Sequence, residues 1–432
     1  MTPLQRLALA LYGLTTWLAQ PLLRRKLRRR ARQEAGYAQA VGERFGRYGS
    51  GGPAQPGALL WIHAVSLGET RAAALLLREL RALQPGLRLL LTHGTATGRA
   101  EGAKLLQPGD VQVWLPWDTP GAVRRFVQRF RPAIGILMET EIWPNLAACC
   151  RAEGVPLVLA NARLNEKSRR GAQRLAWLSR PAYAGLRAVW AQTEADAQRL
   201  REVGARDVQV LGNVKFDVHP DPEQLARGHA WRAAAARPVV LLASSREGEE
   251  ALWLDAVGRL ADADRRSVQW LIVPRHPQRF DAVEQLLRAA GLGVARRSQW
   301  PQQGDAPPAG DVWLGDSMGE MALYYGLAQV ALLGGSFERL GGQNLIEAAA
   351  CGCPVVMGPH TFNFAQAAKL AAAAGAALPV ADMAQAVAQA LALAHDAPAW
   401  RQCVQQCQAF AGAHRGAARA MAQAALALLA RP

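Results

Sequence analysis

Three charged residues in the first half of the chain follow short apolar segments that the sequence predicts to be buried strands. Glu69 lies in "SLGE", Glu139 in "METE" and Lys215 in "NVKFD". A carboxylate in a closing, partly dry cleft has a raised pKa and can act as a general base, while a nearby cation can stabilise a leaving group. The pattern therefore indicates acid–base chemistry, although Glu69 could instead be a favourable negative charge in the first turn of a helix.

The second half of the chain carries residues that suit a nucleotide. Gly341 and Gly342 precede a predicted helix, whose free backbone amides attract phosphate. Arg275 in "PRHP" follows a predicted strand, where its guanidinium could pair with a phosphate, and Glu347 could hold ribose hydroxyls. The glycines could simply form tight turns, but together with the arginine and the glutamate they favour a nucleotide site. A GxxxxGK(S/T) motif is absent, so this is not a P-loop NTPase.

Short apolar segments alternate with helical stretches and indicate how these residues are positioned. Seven segments precede residue 217 and five follow residue 237, among them "ALLWIHAV", "AIGILME" and "VVLLASS". Strands that are apolar throughout and separated by helices are typical of parallel sheets covered on both faces. We therefore predict an α/β fold with two Rossmann-like, doubly wound domains facing a cleft. Ligands are expected at the carboxyl ends of the strands.

The predicted domain organisation follows from length and local composition. A chain of 432 residues, half of them hydrophobic, favours two domains over one. Residues 1–32 form an apolar segment and a basic cluster, and 33–217 form the first domain. Residues 218–237 form a linker, and 238–432 form the second domain, ending in an Ala-rich closing helix.

The amino-terminal segment has the composition of a membrane anchor. The net charge is +16, and residues 1–50, with ten Lys or Arg and two Asp or Glu, supply half of it. Seven cations lie within 24–32, directly after the uncharged 17-residue segment 7–23, which contains Tyr12 and Trp17. This order predicts a membrane anchor whose cationic side lies in the cytoplasm, next to anionic lipids. Spanning, interfacial binding and packing on the body of the protein all remain open.

The six cysteines do not indicate a metal site. They form no paired CxxC motifs, and no histidine cluster accompanies them. Buried thiols in a reducing compartment are the expected state, without structural zinc.

Taken together, the motifs at the predicted strand ends resemble one family. "HAVSLGE", "METEIWPN", "NARLNEKS", "GNVKFD", "PRHPQRF", "GDSMGE" and "GGQNLIEAA" occur in the order typical of the 3-deoxy-D-manno-octulosonic acid (Kdo) transferases that act on lipid A precursor. The resemblance extends from about residue 1 to 425. It implies a GT-B glycosyltransferase on the cytoplasmic side of the inner membrane, with CMP-Kdo as donor and lipid A precursor as acceptor. It also implies that neither a metal nor another cofactor is required.

The resemblance assigns roles to residues of the matching motifs. Glu69 would deprotonate the acceptor hydroxyl, and Glu139 and Lys215 would stabilise the transition state of a direct displacement. The residues implied in CMP binding are Pro274, Arg275, Met318, Gly319, Glu320, Asn344, Leu345, Ile346 and Glu347. Arg246 and Gln343 stand where the family usually has histidine, and Ser317 stands for threonine, so the expected donor contacts differ in detail.

Three other functions remain to be separated from this one. Another GT-B enzyme would use a UDP-sugar in place of CMP-Kdo. A membrane-bound, polyanion-binding protein without catalysis would not depend on Glu69. Nucleic-acid binding is disfavoured, because the basic residues outside the amino terminus are dispersed and no nucleic-acid module is evident.

Overall fold

The computed structural model describes residues 2–49, 59–140, 142–300 and 308–430. The chain forms two compact units, of which the first comprises Met1–Asp217 with Arg415–Pro432 and the second comprises Val218–His414. Each unit contains one seven-stranded sheet in which all paired strands are parallel. The predicted pair of parallel α/β domains is confirmed.

The sheet of the first unit has the strand order β3-β2-β1-β4-β5-β6-β7. Its strands are β1 (Leu59–Ala64), β2 (Arg88–His93), β3 (Val111–Trp114), β4 (Ile134–Met138), β5 (Leu157–Ala162), β6 (Ala188–Ala191) and β7 (Val208–Val210). The helices before residue 217 are α1 (Pro3–Leu18), α2 (Gln20–Gln33), α3 (Leu67–Leu83), α4 (Ala96–Ala103), α5 (Pro120–Phe130), α6 (Pro144–Ala152), α7 (Glu166–Arg174), α8 (Ala176–Ala184) and α9 (Glu194–Glu202). Short 3-10 helices cover Ala35–Ala38, Val41–Phe45 and Val214–Phe216.

The sheet of the second unit has the order β10-β11-β9-β8-β12-β13-β14. Its strands are β8 (Val239–Ser245), β9 (Gln269–Pro274), β10 (Val294–Arg296), β11 (Val312–Leu314), β12 (Val330–Leu333), β13 (Val355–Met357) and β14 (Ala377–Pro379). Its helices are α10 (Pro222–Ala234), α11 (Glu249–Gly258), α12 (Asp262–Ser267), α13 (Phe280–Ala289), α14 (Met321–Leu327), α15 (Leu345–Ala350), α16 (Ala365–Ala373), α17 (Met383–His395) and α18 (Ala397–Ala413). Short 3-10 helices cover Pro277–Arg279 and Arg297–Gln299, and the last helix, α19 (Ala417–Leu429), belongs to the first unit.

The strands are apolar throughout because both faces of each sheet are covered. In β1, Leu59 and Trp61 pack into one core cluster, whereas Leu60 and Ile62 pack into the cluster on the opposite face. Two strands of the second sheet, β10 and β14, were not predicted. Both are edge strands and only partly buried, and they end in Arg296 and Pro379, so neither shows a distinct apolar run.

The carboxyl-terminal helix differs from the prediction, which placed it in the second domain. Ala418, Met421 and Ala422 of α19 are fully buried, and they pack in the core cluster that also contains the apolar face of α3. The Asp217 carboxylate accepts hydrogen bonds from the backbone N–H groups of Gly416 and Ala418 at the start of α19. The small residues on one face of α19 allow close packing against the first unit, which the composition of the segment does not reveal.

The predicted linker, 218–237, is largely helical. It contains α10, whose first turn is capped by the Asp221 side chain. Helix α10 packs closely on α14, because a side chain added at Gly228 would lie 2.4 Å from the Leu323 carbonyl oxygen. This segment is therefore part of the second unit rather than a free connection.

The amino-terminal segment forms two helices instead of one continuous apolar helix. Helix α1 ends at Leu18, and α2 begins at Gln20 with Pro21 in its first turn. Within the described ranges, no helix combines the length and the apolar character needed to cross a membrane. Helix α1 packs on the rest of the first unit through its buried Ala8 and Gly13. The Tyr12 hydroxyl donates a hydrogen bond to the buried Asp118.

Candidate active site

The first candidate site lies where the strand order of the first sheet reverses. Strands β1 and β4 are neighbours in the sheet although β2 and β3 come between them in the chain. Glu69 follows β1 and Glu139 follows β4, so both acids lie at the carboxyl edge of this reversal. Open parallel sheets bind ligands at such a point.

Glu69 is the third residue of α3 and is partly exposed. Its Oε2 accepts a hydrogen bond from the Val65 N–H at 2.7 Å, and Oε1 accepts one from the Ser66 hydroxyl at 3.3 Å. Ser66 in return caps the helix by accepting from the Glu69 N–H. The side chain thus holds the turn between β1 and α3 and places its carboxylate at the strand end. The geometry suits both the capping role and the predicted role as a base.

Glu139, Lys215 and Arg163 form a charged cluster at the same edge. The Lys215 Nζ lies 2.7 Å from Glu139 Oε1, and the Arg163 Nε donates to Glu139 Oε2 at 2.8 Å. The Glu139 side chain is buried, whereas those of Lys215 and Arg163 are 32% and 55% exposed. Glu139 also has a positive φ of 63°, a left-handed conformation that is uncommon for a residue with a side chain. The structure brings together two of the three predicted catalytic residues.

A buried amide network holds Lys215 in place. The Asn161 Oδ1 accepts a hydrogen bond from the Val214 N–H, and the Asn161 carbonyl accepts one from the Gln192 side chain. The Asn213 amide donates to Gln192 Oε1 and accepts from the Lys215 N–H. Asn161, like Glu139, has a positive φ, of 51°. Sequence reasoning assigned no role to these three amides or to Arg163, although polar residues directly after apolar strands were the available signal.

Two buried histidines lie on β1 and β2 beneath this edge. Burial lowers the pKa of His63 to about 3 and that of His93 to about 4. His63 Nδ1 is 2.9 Å from the Thr92 hydroxyl, and His93 Nδ1 is 3.1 Å from the Ala64 carbonyl oxygen. Both imidazoles are therefore neutral near pH 7 and act as hydrogen-bonding core residues.

The second sheet reverses its strand order between β8 and β12. The buried Glu249 joins the two strand ends. It accepts hydrogen bonds from the N–H groups of Arg246 at 2.8 Å, Gly335 at 2.7 Å and Phe337 at 3.1 Å. Burial raises the pKa of Glu249. Its carboxylate thus shapes the loop after β12 rather than facing a ligand.

Arg275 follows β9 at this edge, as predicted, and Pro274 is the last, buried residue of that strand. The Arg275 Nε donates to Gln343 Oε1 at 3.3 Å. Arg275 therefore contacts Gln343, which stands where the family usually has histidine. Nearby, Arg279 makes a two-point ion pair with the buried Glu250, at 2.7 and 2.9 Å. Arg279 was not assigned a role from the sequence.

The turn after β11 contains the predicted Met318, Gly319 and Glu320. Met318 is 62% exposed, and Gly319 has a positive φ of 82°. The Glu320 carboxylate accepts from the Ser317 hydroxyl and pairs with Arg297 at 2.8 Å. Ser317, which stands for the usual threonine, therefore holds Glu320 through its hydroxyl.

The loop that leads to α15 contains the remaining predicted CMP contacts. Gly341 and Gly342 have φ values of 92° and 75°, so both adopt the left-handed conformation that favours glycine. The Asn344 side chain caps α15 by accepting from the Ile346 N–H. Leu345 and Ile346 are buried, so their side chains pack into the core. Glu347 is partly exposed one turn into the helix.

The cysteines are free thiols, and four of the six are buried. In the described part of the chain, no group of three or more His, Cys, Asp or Glu side chains could hold a metal ion.

Two parallel-sheet α/β units with polar carboxyl edges define a protein with the GT-B glycosyltransferase fold. A solved glycosyltransferase from Rickettsia africae matches 88% of this chain and all of its own, with a TM-score of 0.56 and 13% identity. The family model for 3-deoxy-D-manno-octulosonic-acid transferase (kdotransferase) matches residues 39–218.

Curated relatives establish the family. A 3-deoxy-D-manno-octulosonic acid transferase from Bordetella pertussis is 50% identical over 421 residues, which cover 95% of this chain and 96% of the relative. One from Haemophilus influenzae is 34% identical and covers 76% of this chain and 77% of the relative. The chain therefore belongs to the Kdo transferase family and is a glycosyltransferase. The non-catalytic alternative is wrong.

Proposed function

We propose that this chain transfers Kdo from CMP-Kdo to the lipid A precursor in lipopolysaccharide synthesis. The observation that carries the proposal is the position of Glu69, Glu139 and Lys215 at the carboxyl edge of one sheet. The sequence identity to named Kdo transferases supports the transferred group.

In this proposal Glu69 is the general base. Its carboxylate takes the proton of the acceptor hydroxyl, and the acceptor oxygen forms a bond to the anomeric carbon of Kdo. The bond from that carbon to the phosphate oxygen breaks, and CMP leaves with the bonding electrons. The partial exposure of Glu69 is compatible with direct contact between its carboxylate and a substrate.

Glu139 and Lys215 stabilise the charges of this reaction. The transition state is positive at the sugar and negative at the departing phosphate. A fixed carboxylate favours the first charge, and a fixed ammonium favours the second. The Glu139 side chain is buried, and its carboxylate contacts Lys215 at 2.7 Å and Arg163 at 2.8 Å. These contacts hold the carboxylate and the Lys215 ammonium in fixed positions.

The donor nucleotide is assigned to the carboxyl edge of the second sheet. Arg275 supplies a cation for the phosphate, and the turn at Gly319 supplies backbone amides. Glu347 remains the proposed partner of the ribose hydroxyls. The predicted cleft between the two domains, and the independence from metal, stay predictions.

We place the protein at the cytoplasmic surface of the inner membrane, bound through α1 and α2. Helix α1 exposes Leu4, Leu7, Leu11, Leu14, Trp17 and Leu18, a stripe at helical spacing. Helix α2 carries the cations of segment 24–32, which suit anionic lipid head groups. An apolar stripe followed by a basic helix favours interfacial binding. Flotation with anionic vesicles should be lost on Leu11→Asp with Leu14→Asp, and unchanged flotation would refute this placement.

The transfer reaction is tested with detergent-solubilised protein, CMP-Kdo and tetraacylated lipid A precursor. Mass spectrometry counts the Kdo residues added by the natural chain and by Glu69→Gln, which preserves the shape of the side chain. We expect product from the natural chain and a rate decrease of about 10²- to 10⁴-fold in the variant. Turnover with UDP-sugars but not CMP-Kdo would support the rival donor. Equal rates would remove Glu69 as the base.

A further inference from the structure

A cavity of about 360 Å³ lies in the first unit between α2 and the two 3-10 helices that follow it. Its floor is apolar and its rim is cationic. The floor includes Leu27, Tyr37 and Phe45, and the rim includes Arg24, Arg28 and Arg47. Among the described residues that line it, none is acidic.

The floor residues are buried, and two of the rim arginines carry charges that are not paired with a described carboxylate. Leu27, Tyr37 and Phe45 are all buried, and the Arg24 guanidinium lies 4.6 Å from the centre of the Phe45 ring. Arg28 and Arg47 make no ion pair with any carboxylate in the described part of the chain. An apolar cavity with cations at its edge is complementary to a molecule that joins a hydrocarbon chain to a phosphate.

The same cavity is connected to Glu69 by consecutive hydrogen bonds. Arg44 lies between the cavity residues Gly42 and Phe45, and its Nη2 donates to the Gly94 carbonyl at 2.7 Å. The Gly94 N–H donates to the Val65 carbonyl at 3.1 Å. The Val65 N–H in turn donates to Glu69 Oε2 at 2.7 Å. The wall of the cavity is thus fixed to the turn that holds the proposed base.

We propose that this cavity binds the lipid acceptor, with one acyl chain on the apolar floor and a phosphate of the acceptor at Arg28 and Arg47. The inference rests on the proposed function and adds the location of the acceptor's lipid part. The acceptor is favoured over bulk phospholipid because the cavity wall is fixed to the turn of the proposed base. An acyl chain held here would place the sugar at the carboxyl edge of the first sheet.

The first test fills the cavity with Val41→Trp, since Val41 lines it and is 37% exposed. Val210→Trp is the control, because Val210 is 41% exposed on the edge strand β7, outside the cavity. In neutral detergent without phospholipid, we expect Val41→Trp to raise the KM of tetraacylated acceptor by about 10-fold, close to the loss of one well-placed apolar contact. The KM of CMP-Kdo and both constants of the control should not change. Equal effects of the two variants would overturn the proposal.

The second test uses surface charges, so it does not depend on tolerance of a larger side chain. Arg28→Glu should raise the acceptor KM, whereas Arg174→Glu, the same charge change on the exposed end of α7, should not. Equal acceptor KM values for the two variants would overturn the assignment of the phosphate to Arg28.

A third test adds anionic phospholipid to the micelles. Competition that raises the acceptor KM of the natural chain but not of Val41→Trp would support acceptor binding in the cavity. Stimulation of the natural chain by phospholipid without any rise in acceptor KM, lost in Val41→Trp, would assign the cavity to bulk lipid instead. Failure of the natural chain to transfer Kdo at all would refute the proposed function, a result distinct from these.

Discussion

At the carboxyl edge of the first sheet, the buried Glu139 contacts two partly exposed cations, Lys215 and Arg163. At the corresponding edge of the second sheet, the buried Glu249 contacts three backbone N–H groups, and Glu250 contacts Arg279. In the proposed function, the first arrangement presents these charges to the reacting sugar. The second uses its acids to fix the loops, and in the proposed function the turn amides and Arg275 bind the nucleotide. The two sheets have the same type of strand-order reversal, but their buried acids have different partners: side-chain cations at Glu139 and backbone N–H groups at Glu249.

Among the substitutions that test this comparison of the two edges, Glu139→Gln has the largest expected effect. The substitution keeps the shape of the side chain but leaves Lys215 and Arg163 without their carboxylate partner. We expect kcat for Kdo transfer to fall by about 10²- to 10³-fold, as for the loss of one group that stabilises transition-state charge. Circular dichroism at the assay temperature controls for folding. A kcat within twofold of the natural value would mean that Glu139, like Glu249 and Glu250, has only a structural role.

The equivalent change at the second edge, Glu250→Gln, should act on stability instead. It breaks a two-point ion pair whose carboxylate is almost fully buried, so we expect a loss of about 3 kcal/mol in the free energy of unfolding. Urea denaturation measures this loss. Asp255→Asn breaks the exposed pair with Arg259 in the same unit and should cost less than about 0.5 kcal/mol. Similar losses in both variants would mean that the buried Glu250–Arg279 pair stabilises the fold no more than an exposed pair.

The first unit should also lose stability in mild acid. The pKa of His93 in the folded chain, about 4, lies below the ordinary value of 6.5, so the unfolded chain binds more protons below pH 6.5. The histidine therefore costs about 2 kcal/mol at pH 5 relative to pH 7.5. His93→Gln should reduce the pH-dependent loss by this amount in denaturation curves at the two pH values. An unchanged difference would mean that His93 is charged in the folded protein.

Asp118 provides a control of opposite sign for that measurement. Burial raises its pKa from 3.8 to about 6, so the folded chain binds more protons between these values and gains stability as the pH falls through 6. Asp118→Asn should remove this gain and make the loss in acid larger by about 1 kcal/mol. A smaller loss of unfolding free energy in acid for Asp118→Asn than for the natural chain would contradict the predicted stabilisation by protonated Asp118.

The smallest expected effect is that of Arg246→His, which restores the residue usual in the family. Arg246 pairs at 2.9 Å with the exposed Glu247, and such pairs contribute less than about 1 kcal/mol. We expect a change in unfolding free energy below about 0.5 kcal/mol and a KM for CMP-Kdo within about threefold of the natural value. A larger change in KM would indicate that Arg246 contacts the donor.

The sequence by itself determined the parallel sheets and the positions of Glu69, Glu139, Lys215 and Arg275 after their strands. These features are local, because an apolar strand and the polar turn after it are encoded within a few neighbouring residues. Strands β10 and β14 were missed because they are the edge strands of the second sheet and are only partly buried, so their residues do not form an apolar run.

Only the tertiary structure decided which of these residues meet. The contact of Lys215 with Glu139, the amide network from Asn161 to Asn213 and the return of α19 to the first unit all join segments that are distant in the chain. Such contacts depend on strand order and on packing against small side chains, which no local pattern encodes. The cavity beneath α2 likewise forms only when α2 packs on the 3-10 helices, because its apolar floor comes from separate elements.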